Sequence, residues 1–294
     1  MADRVAIVLL NWNGLQDTLE CLSSLASLLY KAYQVIVVDN HSDEDPSVII
    51  EQYPEVILIR NADNYGFCQG NNIGINRAAE LGLEYCWILN NDTQVSPDCL
   101  GKLVAVLDND EKIAAVTNRI DYYDDPTVSW FTGGIFENGL PAHRGYFQPL
   151  IEDNGSFATE YLSGCSLLAR TEVLKTLGGF DESYFCYVED VDLSLRIRAL
   201  GLKIAYAGDA IIWHKVSRSS GMESPAKLYY KHRNMLYFMK KFNKPVWSRV
   251  RWWLLSIRYV FSLLLKHRDA RAAYYLGRGL FDALRGHRGR LLSL

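Results

Sequence analysis

The stretch VAIVLLNWNGLQDTLECLSSLASLLYKAYQVIVVDN, residues 5–40, decides the fold. It opens with VAIVLL (5–10) and closes with VIVVD (35–39), two short apolar runs rich in β-branched residues. Successive strand side chains point to opposite faces, so a run with no polar alternate is a strand buried on both sides. Between the runs, Leu15, Leu19, Leu22, Leu25 and Leu29 recur at three- and four-residue spacing. That spacing lines one face of a helix over 15–30 and makes the stretch a β-α-β unit.

Working outward, VILIR (56–60) predicts a third strand and YCWILN (85–90) a fourth, with a helix over 69–82 opened by residues 66–72. Strands of this kind alternating with helices imply an α/β fold: a Rossmann-like, mostly parallel sheet flanked by helices. Such sheets collect ligands at the carboxyl ends of their strands. Asn11, Asp39 and the trio Asn90, Asn91, Asp92 each lie just past a strand end, so three polar clusters converge on one rim. Residues 118–160 are rich in turn formers and predict loops and short strands of a second lobe. A strand is expected near 162–169 and a helix near 171–177, stopped by Gly178 and Gly179. The segment EDVDLSLRIRAL (189–200) has helical spacing, and 203–207 and 210–213 read as strands.

The net charge of −3 hides an asymmetry. Residues 1–226 carry 15 Lys and Arg against 32 Asp and Glu, whereas 227–294 carry 16 against 2. A basic segment seeks an anionic partner. This one is full of Trp, Tyr, Phe and Leu, which points to anionic lipid and away from nucleic acid. Within 246–265, Arg249, Arg251 and Arg258 interrupt the apolar residues. The stretch falls short of the ~18 clean apolar residues of a spanning helix and reads as one lying in the headgroup layer. Packing on the body, or on a second subunit as a homodimer, is the alternative. Six scattered cysteines without a C-x-x-C pair read as free thiols in a reducing compartment. The run 5–10 is too short for a secretory signal. The expected location is therefore cytoplasmic, peripheral at the inner face of the cell membrane.

Six elements can carry chemistry, and each has a plainer reading. Asp92, at the tip of a buried strand, suits Mg²⁺ or Mn²⁺, or Asn90-Asn91-Asp92 is simply a turn. Asp39, leading Asp39-Asn40-His41-Ser42-Asp43, can accept hydrogen bonds from a nucleobase or ribose, or it caps a helix. Asn11 and Asn13 can add amides to the same nucleoside, or are plain loop polarity. The loop 64–72, including Asn72, brings backbone and a helix N-terminus to a phosphate, or is a tight entry to a helix. Its spacing is neither G-x-G-x-x-G nor a P-loop. Glu189 and Asp190 open a helix whose dipole keeps a carboxylate ionised, ready to take a proton from an alcohol, or Asp190 and Asp192 simply cap it. His214, after Trp213 at a strand end, can ligate Mn²⁺, or is structural.

In this order the motifs resemble those of the family 2 glycosyltransferases of GT-A fold, especially the rhamnosyltransferase-like bacterial branch. The likeness runs from about Val5 to about His214. It implies a glycosyltransferase domain over 1–226, with a nucleotide-binding part at about 1–117 and an acceptor-side part at about 118–226, followed by the basic helical region 227–294. It assigns Asn11, Asn13, Asp39, Asn40, Asn72, Asn90 and Asn91 to the donor. The D-x-D element falls on Asn90-Asn91-Asp92, which leaves Asp92 as the metal ligand and Asn90 to the ribose. E-D-x-D-L-x-x-R matches residues 189–196 and makes Asp190 the catalytic base. Gly179, Phe180, Asp181, Glu189 and Arg196 fall on the acceptor side, and Trp213-His214 on the remaining metal-site element. The implied reaction is a single in-line displacement with inversion. The implied partners are a nucleoside-diphosphate sugar, dTDP-rhamnose or a UDP-sugar, and a saccharide or lipid-linked acceptor. A sugar-1-phosphate nucleotidyltransferase would want Arg and Lys after strand one, where Asn13-Gly14-Leu15-Gln16 stands. A non-catalytic sugar-nucleotide-binding module would have no need of Asp190, Asp92 and His214 together.

Overall fold

The computed structural model describes residues 3–150, 155–216 and 224–291. Its first half repeats strand and helix: β1 (Val5–Asn11), α1 (Leu15–Ala26), β2 (Tyr33–Asp39), α2 (Ser47–Gln52), β3 (Ile57–Arg60), α3 (Gly66–Glu80) and β4 (Tyr85–Asn90). Val5 through Leu9 are fully buried, as expected of a strand covered on both faces. Two glycines let α3 lie hard against it. A Cβ on Gly74 would sit 2.3 Å from Val8, and one on Gly70 2.5 Å from Leu10.

There follow β5 (Thr93–Val95), α4 (Cys99–Asn109), β6 (Ile113–Tyr122) and the short strands β7 (Val128–Phe131), β8 (Gly134–Glu137), β9 (Leu140–His143), β10 (Gln148–Pro149) and β11 (Ser156–Ala158). The chain closes with β12 (Ser166–Arg170), α5 (Thr171–Leu177), α6 (Glu189–Ala199), β13 (Lys203–His214), α7 (Pro225–Lys241), α8 (Val246–Leu265) and α9 (Ala270–Arg285). Among the described residues the main sheet runs β10–β7–β6–β12–β4–β1–β2–β3, with β13 alongside β6 and paired also to β5 and β11. β3, β2, β1 and β4 are mutually parallel, whereas β12 enters antiparallel between β4 and β6. An apolar strand sequence carries no direction, so that reversal is invisible without the fold.

Several boundaries differ from the sequence reading, and α1, expected over 15–30, ends at Ala26. β12 starts at Ser166 rather than 162, because Leu162–Cys165 turns beneath α6, where the Leu162 amide donates to Ser194. The strands expected at 203–207 and 210–213 are one strand, broken in register between Ala207 and Ile211. The helix expected from 69 begins at Gly66.

Ser224 caps α7 by accepting from the Lys227 amide at 3.2 Å. Met235, Phe238 and Met239 carry α7 into the main core, while α8 and α9 gather a smaller cluster around Leu263, Leu276 and Leu280. Among the described residues no helix is long and apolar enough to cross a membrane.

Candidate active site

Parallel register fixes the rim. Asn11 stands opposite Asp39, and Leu10 opposite Asn90, so the ends of β1, β2 and β4 are level. Asn11 Nδ2 donates to Asp39 Oδ1 at 2.7 Å, and Ser42 donates to Asp39 through its hydroxyl (2.7 Å) and its amide (3.1 Å). Three acceptor positions of Asp39 are thereby filled and about one remains open. Asn13 is exposed and exchanges hydrogen bonds with Asp43, tying the loops after β1 and β2 together. Trp12, between Asn11 and Asn13 in the loop after β1, is 47% exposed.

Past β4, His214 Nε2 lies 3.1 Å from Asp92 Oδ1. Thr93 and His214 are cross-strand partners in β5 and β13, which explains why residues so distant in sequence meet. Burial disfavours both charges, but their attraction outweighs it. Asp92 falls below the usual carboxylate range, and His214, also in contact with Cys165, rises well above the usual histidine value. His214 Nδ1 is buried without a hydrogen-bond partner among the described residues.

Asp190 reaches the same place from α6. Its Oδ2 accepts from the Gly164 amide at 2.9 Å and its Oδ1 from the Val191 amide at 2.8 Å. Gly164 precedes Cys165, which touches His214, and the Cys165 carbonyl accepts from the Asn90 amide at 2.8 Å. One turn, residues 163–166, therefore joins Asp190, His214, Asp92 and the end of β4. Burial raises the Asp190 pKa although the backbone donors oppose it.

Glu189 is 6% exposed, and its Oε2 has no partner among the described residues. Burial, and then the adjacent Asp190 charge, push its pKa well up. A folded-state pKa above the unfolded value gives stability that is full below about pH 4.3 and is lost as pH rises. Glu189→Gln should therefore raise the melting temperature more at pH 8 than at pH 5. An equal shift at both pH values in a thermal melt would contradict this.

Several residues expected to face ligand instead brace the frame. Asn11 spends both amide hydrogens on Asp39 and Ser42 and accepts from Gly14 and Thr18. Asn40 donates to Asn64 and the Gly66 carbonyl and accepts from Asn61 and Tyr65. Asn91 donates to Thr18 at 2.9 Å and so locks the start of α1. Asn72 bonds the Phe180 amide (2.8 Å) and carbonyl (2.9 Å), which ties α3 to the segment after α5. Gly179, at φ 70°, makes that contact possible, because a Cβ there would lie 2.2 Å from Asn72. Phe180 is buried against Phe67, and Arg196 donates to the Leu177 and Gly179 carbonyls. Asp181 accepts from Tyr237 (3.0 Å) and Lys241 (2.7 Å) on α7, and despite its burial the Lys241 contact helps bring its pKa down to about 2. The buried amides of Asn11 and Asn40 have every donor and acceptor in use and have nothing left for a ligand. Of the acceptor-side set, Glu189 alone adjoins Asp190. Asn90 stays half-buried at the rim, its side chain making no hydrogen bond among the described residues.

No group of three or more His, Cys, Asp or Glu side chains among the described residues is arranged to hold a metal by itself. Asp92 and His214 are two ligands of suitable chemistry. Mg²⁺ and Mn²⁺ commonly complete such a shell with water and substrate phosphates, so the residues present fit.

Residues 6–178 match the family model "Glycosyl transferase family 2". The chain is 26% identical over 279 residues to an N-acetylglucosaminyl-diphospho-decaprenol L-rhamnosyltransferase of Mycobacterium tuberculosis, covering 86% of this chain and 90% of that one. It is 24% identical over 273 residues to the dTDP-rhamnosyl transferase RfbF of Shigella flexneri, covering 90% and 87%. Among solved structures, the mannosyltransferase PcManGT of Pyrobaculum calidifontis, in complex with GDP-Man and Mn²⁺, superposes with a TM-score of 0.62 at 16% identity over 97% of this chain and 88% of that one. The fold is thus of GT-A type.

Proposed function

Because this chain belongs to glycosyl transferase family 2, we propose that it is an inverting enzyme of cell-surface polysaccharide synthesis. It moves a sugar from dTDP-rhamnose, with a UDP-sugar as the next candidate, to a hydroxyl of a saccharide or lipid-linked acceptor. The observation that carries the reading is the turn 163–166. It links the Asp190 carboxylate, bonded to Gly164, to Cys165, which touches His214 of the Asp92–His214 pair. The rhamnosyl relatives support the donor, and the lipid diphosphate in the mycobacterial relative's name supports the acceptor class.

In this mechanism Asp39, with its remaining acceptor position, and Asn90 receive the nucleoside, and exposed Trp12 offers a ring face to the base. Asp92 and His214 would hold Mg²⁺ or Mn²⁺, which when bound offsets the negative charge building on the departing diphosphate. Asp190 takes the proton from the acceptor hydroxyl as that oxygen attacks the anomeric carbon. Its raised pKa makes it a stronger base than an ordinary carboxylate. It also puts the acid limb of the pH–rate profile above the usual carboxylate range. Inversion follows from one displacement, so no second carboxylate is needed as nucleophile. Incubation with dTDP-rhamnose and a short-tailed N-acetylglucosaminyl diphosphate lipid should release dTDP in step with new disaccharide. Release of no nucleoside diphosphate from dTDP- or UDP-sugars would overturn the reading.

The C-terminal helices would bring this site to a lipid surface from the cytoplasmic side. Trp247 (55% exposed), Leu254 and Phe261 stand out from α8 together with exposed Arg251 and Arg258. The expected result is co-sedimentation with anionic vesicles, weakened by high salt and reduced at least about tenfold by Trp247→Ala with Phe261→Ala. A salt-stable dimer that ignores vesicles would contradict it.

A further inference from the structure

Phe185, Tyr187 and Val188 hold φ angles of 66°, 68° and 76° immediately before α6. None is glycine, and for a β-branched residue such as Val188 this region is an outlier. Backbone of this kind persists only where its surroundings over-determine it.

The constraint comes from α7. Asn234 Nδ2 lies 2.9 Å from the Tyr184 carbonyl, 2.6 Å from that of Cys186 and 2.9 Å from that of Tyr187. Arg233 orients the amide by donating from Nε to Asn234 Oδ1 at 2.9 Å, and its Nη2 donates to the Tyr184 carbonyl at 2.9 Å. Both side chains are buried, and the guanidinium sits over the rings of Tyr229 and Tyr230 at 5.3 and 4.9 Å. On its other side the loop is tied to α3, where the Cys68 amide donates to the Phe185 carbonyl at 3.1 Å. Packing alone does not call for this arrangement, since Met235, Phe238 and Met239 already seat α7 in the core. A buried amide aimed at three carbonyls of one strained loop fixes the shape of that loop.

We infer that Asn234, oriented by Arg233, is a positioning residue for Asp190. It holds Phe185, Tyr187 and Val188 at the positive φ that sets the first turn of α6, and so keeps the Asp190 carboxylate on the Gly164 amide, one residue before the Cys165 that touches His214. The basic C-terminal region is then part of the catalytic unit, not an appendage. The kinetic half rests on Asp190 being the base; the structural half does not.

Hydrogen exchange tests the structural half without any substrate. In Asn234→Ala the amides of Cys68 and Gly164 should exchange at least about tenfold faster. The Asn40 amide, bonded to the Asn11 carbonyl at 2.7 Å on the donor side, should be unchanged. With dTDP-rhamnose and the N-acetylglucosaminyl diphosphate lipid, kcat should fall about 100-fold with donor KM within about twofold. Glycine adopts a φ of +76° freely, so in a Val188→Gly background the same change should cost about tenfold or less. Unchanged exchange at Cys68 and Gly164, equal acceleration at Asn40, or a kcat loss indifferent to Val188→Gly would each overturn the inference. A wild-type enzyme that transfers nothing between these probes would count against the proposed donor and acceptor, and the exchange data would still decide the role of Asn234. If the alanine variant does not fold, Asn234→Ser, which keeps one donor, must meet the same exchange criterion.

Discussion

Asp190→Asn is expected to lower kcat by about 10³-fold or more while donor affinity stays within about twofold, because removal of a general base costs roughly 10²–10⁴-fold. The change keeps size and shape, so nothing withdraws from the nucleoside-binding rim around Asp39. It removes the one group near the Asp92–His214 pair whose pKa is raised by burial while its oxygens stay anchored, by Gly164 and Val191. An amide cannot accept a proton from the acceptor hydroxyl, and one of the two backbone donors loses its partner. Because the interaction is used only in the transition state, kcat and kcat/KM should fall together. Steady-state kinetics with varied donor, beside calorimetric titration of dTDP-rhamnose, separates the two effects. Full activity in the variant would remove Asp190 from the mechanism, and lost donor binding would make it a substrate contact instead.

Asp92→Ala should cut metal-dependent donor affinity by about 100-fold or more, since even outer-shell partners of a metal ligand are commonly worth 10–100-fold. Without metal, the variant and the wild type should bind donor equally weakly. The ion pair adds a pH signature. Against the cost of burial, Cys165 and Asp92 raise the His214 pKa well above the usual histidine value, so metal must displace a proton to use the imidazole. In the wild type, metal-supported donor binding should weaken as pH falls. Losing Asp92 removes one of the two groups that hold that proton. Titrations with Mn²⁺ across pH test both parts, and a variant that matches the wild type with metal present would end the ligand assignment.

The sequence made the nucleotide-side fold legible because its signals are local. VAIVLL and VIVVD need no partner to be recognised as buried strands, and the leucines of α1 need none to show their face. The ends of those strands were legible for the same reason, and parallel register then levels Asn11, Asp39 and Asn90 on one rim. What stayed hidden depends on who sits opposite. Asn40, Asn72, Asn91 and Arg196 look in sequence like polar groups near a ligand, and only their tertiary partners reveal them as braces. The upward pKa shifts of Glu189 and Asp190 could not be read from a helix N-terminus, because burial is a property of the assembled core. Arg233 and Asn234 were lost within a segment dominated by Lys, Arg and Tyr, whose composition reads as surface. Positive φ at Phe185, Tyr187 and Val188 leaves no trace when the residues that adopt it are not glycines.

The central claim is that one cleft holds the donor diphosphate at Asp92 and His214 and presents its anomeric carbon to Asp190. A crystal structure with dTDP-rhamnose and Mn²⁺, with anomalous data at the manganese edge, tests it most directly. The expected result is a manganese peak in contact with Asp92, His214 and the diphosphate, with Asp190 facing the anomeric carbon from the side opposite the leaving oxygen. Manganese bound away from Asp92, or Asp190 on the same side as the diphosphate, would contradict it.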